Sequence, residues 1–423
     1  MATIKPFAAL RPKPELASQI CELPYDVLSA DEARAIAAVN PLSFFHVSRP
    51  EVDLTPGTDI YAPQVYAKGA ENFQKLIRDG VLKQDAQPCF YLYRQIMGRH
   101  SQTGLVAAVS CEEYLGGVIK KHELTRVNKE DDRVRHIEAL NAQTGPVFLA
   151  CQVAPALDDF IAKISTAAPV IDFTANDGVR HSAWVVSGAD DIKFIESQFK
   201  QIPVLYIADG HHRSAAAARV YLNRKSKAQS PGSKSGPGKT TLDFGHETLD
   251  SFLAVIFPHD RMQILPYNRV LKDLNGWGPD QVMEILGCVF AIFPDGPAIP
   301  TGKHELGFYF RGKWHTLAFK KKLLATNDPL EMLDVSLLQT HVLAPIFGIE
   351  NPRTSDRIHF VGGIRGTGEL EKLVDSGKFA CAFSMFPTGM DDLMAVADVG
   401  EVMPPKSTWF EPKLRDGMFC HLI

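Results

Sequence analysis

The chain has 423 residues, 45% hydrophobic and 22% charged, with a formal net charge of −4. That length supports two or three domains with real cores. The acidic balance gives no global electrostatic case for a nucleic-acid partner or an anionic membrane.

The opening residues, Met1 to Pro6, lack the apolar stretch of a secretory signal, and no apolar run approaches the roughly 20 residues of a membrane span. Seven scattered cysteines with no CxxC pair argue against a disulfide framework or structural zinc. A cytoplasmic protein is expected. Its start is extended and proline-rich through Pro14, and Pro24-Tyr25-Asp26 forms a polar turn. Ser29, with Glu32 three residues on, predicts a capping box for a helix over Ala30 to Val39. Val65, Phe73, Leu76 and Ile77 predict a second helix, stopped at Gly80. Phe90 to Ile96 and Leu105 to Ser110 read as paired strands. Asp131 to Gln143 reads as a helix with Val134, Ile137 and Leu140 on one face. Val147 to Val153 and Ala183 to Ser187 read as strands, and Asp190 to Phe199 as a helix. A buried strand then runs through Val204-Leu205-Tyr206-Ile207, and Ala215 to Tyr221 forms a helix. Residues 223–241 are rich in Ser, Gly, Pro and Lys and predict a solvated loop, or a basic lid over phosphates. A strand over Phe252 to Phe257 follows, with later helices over Met332 to Val342 and Asp391 to Val399. The pattern predicts α+β architecture with mixed sheets. It divides into an N-terminal α/β region (1–118), a core (119–223), a basic loop (224–241) and a C-terminal α/β region (242–423).

The chemistry concentrates at Asp209-Gly210-His211-His212-Arg213, where the buried strand turns into the helix. Unpaired N–H groups at a helix start favour an anion, and Gly210 permits a tight turn or a close approach to a ligand. His211, His212 and Arg213 suit phosphate oxygens. Asp209 suits Mg²⁺ or a reacting hydroxyl, or it caps the helix. Zinc on His211 and His212 is disfavoured, because adjacent histidines diverge on a helix and no third ligand stands at metal-site spacing.

A second cluster is Lys121-His122-Glu123-Leu124-Thr125-Arg126, followed by Asp132-Arg133. Glu123 could serve as a general base. A third is Met403-Pro404-Pro405-Lys406-Ser407-Thr408, running on to Lys413. It lacks the glycines of a phosphate loop but could form a fixed anion-contacting turn.

These motifs, with Leu265-Pro266 and Arg269, resemble as an ordered set a prokaryotic family of unknown function labelled ParB-like, domain-of-unknown-function family 1015. The middle of the chain also resembles free-serine kinases of ParB-like fold, which pair His-Glu with a strand ending in Asp-Gly-His-His-Arg. The resemblance implies a ParB/sulfiredoxin-like nucleotide-binding core. It implies ADP or ATP and Mg²⁺ as cofactors, Glu123 as the base that deprotonates the serine hydroxyl, and Asp209 as a second essential carboxylate and Mg²⁺ ligand. Gly210, His211, His212 and Arg213 would contact the nucleotide, and His122, Arg126, Arg133, Lys406, Ser407 and Thr408 are grouped with them. Tyr25, Asp26 and Asp132 are the candidate substrate contacts. One departure is Lys121, where those kinases have proline, and the gap between the two motifs is longer here.

The expected partners are therefore a nucleotide and a small hydroxyl metabolite such as serine, with a homodimer left open. Three rival readings remain: a ParB-like nucleotide switch or DNA-associated regulator, a metal-dependent phosphodiester or phosphate hydrolase, and a non-enzymatic metabolite sensor. No helix-turn-helix or basic recognition helix supports the DNA reading.

Overall fold

The computed structural model describes residues 1–229 and 250–423. They fall into two compact units, one of Met1–Met262 with Pro412–Ile423, the other of Gln263–Glu411.

In the first unit, nine strands among the described residues form one sheet. Its order is Ile119–Lys120, Leu205–Asp209, Val147–Cys151, Ser251–Pro258, His100–Ser110, Phe90–Met97, Arg180–Val186 and Ile171–Thr174, and Ile4–Lys5 pairs with His100–Ser110. Leu205–Asp209 runs parallel to Ile119–Lys120, and Ser251–Pro258 runs parallel to Val147–Cys151, while the remaining pairings are antiparallel. The sheet is thus mixed. Every residue of Val147–Cys151 and of Ser251–Pro258 is buried, so these strands read as continuous apolar runs rather than alternating ones.

The helix His211–Gln229 packs against the helix Val127–Leu140, and its four alanines, Ala215 to Ala218, join the sheet core. Such small side chains let the helix axis come close to the strands. Ser29 and Glu32 form the expected capping box on Ala30–Val39.

Some boundaries move. The helix expected to reach Gln143 stops at Leu140, because Asn141 takes a left-handed conformation (φ 51°) and Ala142–Gln143 pairs with His421–Leu422. The helix at 211 runs to Gln229, so the first residues of the expected basic loop are helical. Arg224 bonds Asn141 (2.8 Å) and Lys225 bonds Glu112 (2.9 Å), which gives those charges partners that local composition does not announce. Residues 230–241 of that loop lie outside the described residues.

The second unit holds a six-stranded antiparallel sheet, in the order Phe290–Pro294, Lys313–Phe319, Glu305–Phe310, Cys381–Met385, Tyr267–Leu271 and Ile358–Gly362. Val270, Tyr309, Val361, Leu370 and Ala382 form a core cluster there. The helix expected over Met332 to Val342 is shorter, Asp334–Leu338, and continues as a π-helical turn over Gln339–Leu343. Among the described residues no helix is long and apolar enough to cross a membrane.

Candidate functional site

The corner at residue 210 is built by three local features. The register of Leu205–Asp209 against its neighbour shifts between Ile207 and Asp209, a bulge that re-aims the end of the strand. Gly210 turns the chain at φ 92°, a conformation that side chains rarely adopt. Its carbonyl then accepts the N–H groups of Arg213 (2.9 Å) and Ser214 (3.1 Å), which starts the helix. Asp209 Oδ1 accepts the Gly210 N–H at 2.7 Å, and Oδ2 accepts from Lys413 Nζ at 2.8 Å. Burial works to raise the Asp209 carboxyl, but the charge and hydrogen bond of Lys413, with Arg213 behind, hold it well below the usual range. Asp209 is therefore ionised, and Lys413 reaches it from the C-terminal motif.

The loop bearing the second cluster folds onto this corner. His122 and His211 meet edge to face, with ring centroids 4.5 Å apart, and are 2% and 4% exposed. Glu123 Oε2 lies 4.0 Å from His211 Nδ1, and its side chain is half exposed. The His122 ring donates to the Ile207 backbone, and burial lowers its pKa to about 4. Burial, with His122 beside it, pushes His211 well below its usual value. Both rings are thus neutral, so His211 offers no positive charge to a phosphate. His122 Nδ1 and His211 Nε2 are buried without a hydrogen-bond partner, and an unmet buried polar group costs roughly 1–3 kcal/mol. Arg126 donates its backbone N–H to His212 Nε2 (3.0 Å), which ties the loop to the helix start. Burial lowers the His212 pKa, against the pull of Asp26.

Beneath lies a charged layer. Burial would lower the Arg213 pKa, but Asp416 (3.5 Å) and Asp26 outweigh it and keep the guanidinium charged. Arg133 stacks over the Tyr25 ring at 3.9 Å and Arg213 stands 5.5 Å from that ring. Asp132 is buried and accepts from Tyr66 Oη (2.9 Å) and from Arg133 (2.8 Å). Tyr25 is buried too, whereas Asp26 is exposed. Tyr25, Arg133, Arg213 and Asp416 line one small cavity in this layer.

Lys406, Ser407 and Thr408 belong to the second unit. There Lys406 takes a left-handed conformation (φ 59°), its carbonyl accepts from buried Arg269 (3.2 Å), and Ser407 Oγ bonds the Pro404 carbonyl (2.6 Å).

A family model for a protein of unknown function, DUF1015, matches residues 4–336. The chain belongs to this family. No curated protein matches it. Among solved structures it is similar to a variant of a free serine kinase in complex with ADP, at 13% identity and TM-score 0.34, covering 72% of this chain and 87% of that one. It is also similar to a conserved hypothetical protein from Pyrococcus furiosus (13%, 0.33, covering 75% and 95%). A third is SbnI with a C-terminal truncation from Staphylococcus aureus (10%, 0.36, covering 74% and 85%).

Proposed function

We propose that this protein is a phosphotransferase whose first unit is a ParB-like nucleotide-binding core. It moves a phosphoryl group from ADP or ATP to the hydroxyl of a small metabolite such as free serine. The observation that carries this reading is the meeting of Glu123, from one loop, with the Asp209–His212 corner from another part of the chain. Phosphoryl transfer needs a base beside the attacking hydroxyl and charge neutralisation at the phosphate. An exposed carboxylate beside a helix start supplies both.

Glu123 takes the hydroxyl proton. The hydroxyl oxygen bonds to the terminal phosphorus, and the bond from that phosphorus to the bridging oxygen breaks, leaving AMP from ADP or ADP from ATP. The positive end of the helix start, with His212 and Arg126, holds the phosphates. Arg213, engaged with Asp416 and Tyr25, adds its positive charge from below, and Arg133 stiffens the same layer. Asp26, exposed near His212, contacts the acceptor, while Tyr25 and Asp132 fix its floor. Asp209 is a hard oxygen donor at a strand end, which fits Mg²⁺ held by one carboxylate and the substrate phosphates. When bound, Mg²⁺ neutralises phosphate charge.

The test has two stages. Nucleoside di- and triphosphates with Mg²⁺ should raise the thermal midpoint, since a ligand at about 100 times its dissociation constant adds roughly 2.7 kcal/mol. A panel of hydroxyl metabolites, followed by phosphorus NMR, should then yield a phosphorylated acceptor that Glu123→Gln does not make. No nucleotide shift and no phosphorylated acceptor overturns the reading. Phosphate release from esters without a nucleotide would point to hydrolysis.

A further inference from the structure

The geometry points to a transition-metal site made by His122, Glu123 and His211, distinct from Mg²⁺ on Asp209. One ligand atom from each of the three residues lies within 4.8 Å of the others. The two histidines are almost wholly buried, and each keeps a ring nitrogen with no hydrogen-bond partner, Nδ1 on His122 and Nε2 on His211. The two rings meet edge to face with centroids 4.5 Å apart, and Glu123 Oε2 stands 4.0 Å from His211 Nδ1. Unmet buried ring nitrogens in such a cluster require an explanation, and a cation held among the three side chains gives one.

The donor set selects the ion. Two imidazoles and one carboxylate suit a divalent first-row metal such as zinc, whereas Mg²⁺ prefers oxygen ligands. Ligands around a tetrahedral zinc at about 2.1 Å stand roughly 3.4 Å apart. Closing the set to that spacing takes a movement of the half-exposed Glu123 side chain. The tautomer is also set. His122 gives its other ring N–H to the Ile207 backbone, as metal-binding histidines generally do, and so keeps Nδ1 as an unprotonated lone pair. Three protein ligands leave a coordination position for water or a ligand oxygen. The adjacent pair His211–His212, disfavoured in the sequence, is not the set: His211 clusters instead with His122 and Glu123, and His212 Nε2 accepts the Arg126 N–H.

This proposal goes beyond the phosphotransferase reading and does not rest on it, so its test contains no nucleotide. The chelator-stripped full chain is titrated by calorimetry with zinc alone and with magnesium alone. One zinc per chain is expected, bound at least about 100-fold more tightly than magnesium. Glu123→Gln, at an exposed position, should weaken zinc by about tenfold or more with the fold intact by circular dichroism, and His211→Ala should weaken it further. Cobalt substitution should give visible absorption bands that Glu123→Gln alters. Absence of zinc binding by the folded protein overturns the site. So does binding that Glu123→Gln leaves unchanged.

Discussion

The ammonium of Lys413 lies 2.8 Å from the carboxylate of Asp209, across 204 residues of sequence. It is 14% exposed at the side chain, while Asp209 is 40% exposed. Lys413→Met is expected to remove a partly solvated ion pair, worth about 1 kcal/mol after screening. For a unit of this size that lowers the thermal midpoint by roughly 2–4 °C. The Asp209 pKa should rise at the same time, readable by carboxylate NMR. An unmoved Asp209 titration would show that Lys413 does not hold its charge.

Arg213 invites mutation as a phosphate contact, yet it also balances Asp416, whose side chain is 4% exposed. Arg213→Ala should cost about 3 kcal/mol in urea denaturation at pH 7.5, because it leaves a buried carboxylate alone. Burial already pushes the Asp416 pKa up to about 6 against the pull of Arg213, so at pH 5 the lone carboxyl takes a proton and the loss shrinks. Adding Asp416→Asn to Arg213→Ala should restore much of the stability. Gly145→Ala probes the same pair from the backbone side, since a Cβ there would stand 2.2 Å from Asp416 Oδ1 and 3.1 Å from Arg213 Nε. Equal losses at both pH values would sink the account.

The corner itself was legible because its signals are local. An apolar run gives the strand, Gly210 the turn, and four alanines the helix. The capping box at Ser29 is of the same kind. What was hidden is non-local. Nothing near Asp209 announces Lys413, and nothing near Arg213 announces Asp416. His122 and His211 become neighbours because Ile119–Lys120 pairs in parallel with Leu205–Tyr206, so the chain after Lys120 runs on in the same direction as the strand that leads to His211. The helix continues past Tyr221 on contacts of the same non-local kind, since the partners of Arg224 and Lys225 sit at Asn141 and Glu112.

Acid should weaken the first unit through its buried histidines. His136 is 4% exposed and its Nε2 lies 2.9 Å from the Val47 carbonyl. Burial, with Arg133 adding, lowers its pKa from 6.5 to about 4. Below pH 6.5 the unfolded chain takes a proton here that the folded chain refuses. This contribution is therefore complete above about pH 6.5 and is lost as pH falls toward 4, by about 2 kcal/mol at pH 5. His181 is depressed in the same direction. Asp416 acts oppositely, since a raised carboxyl favours the folded state as pH falls from about 6 to 3.8. His136→Gln keeps a donor for Val47 and should lose about 2 kcal/mol less than the parent between pH 7.5 and 5. Identical acid losses would place the sensitivity elsewhere.

Zinc is expected to slow phosphoryl transfer. Glu123 is the carboxylate that accepts the proton in transfer and also the exposed member of the His122–Glu123–His211 set. A cation there withdraws the lone pairs the base needs, and removal of a general base costs on the order of 10²–10⁴ in rate. Transfer measured at fixed nucleotide and excess Mg²⁺ should therefore fall by about tenfold or more on one zinc equivalent per chain, and return when a chelator is added. The inhibition should weaken in His211→Ala, which retains the base and loses a ligand. Undiminished transfer with zinc bound would separate the two roles and show that the proton leaves through another group.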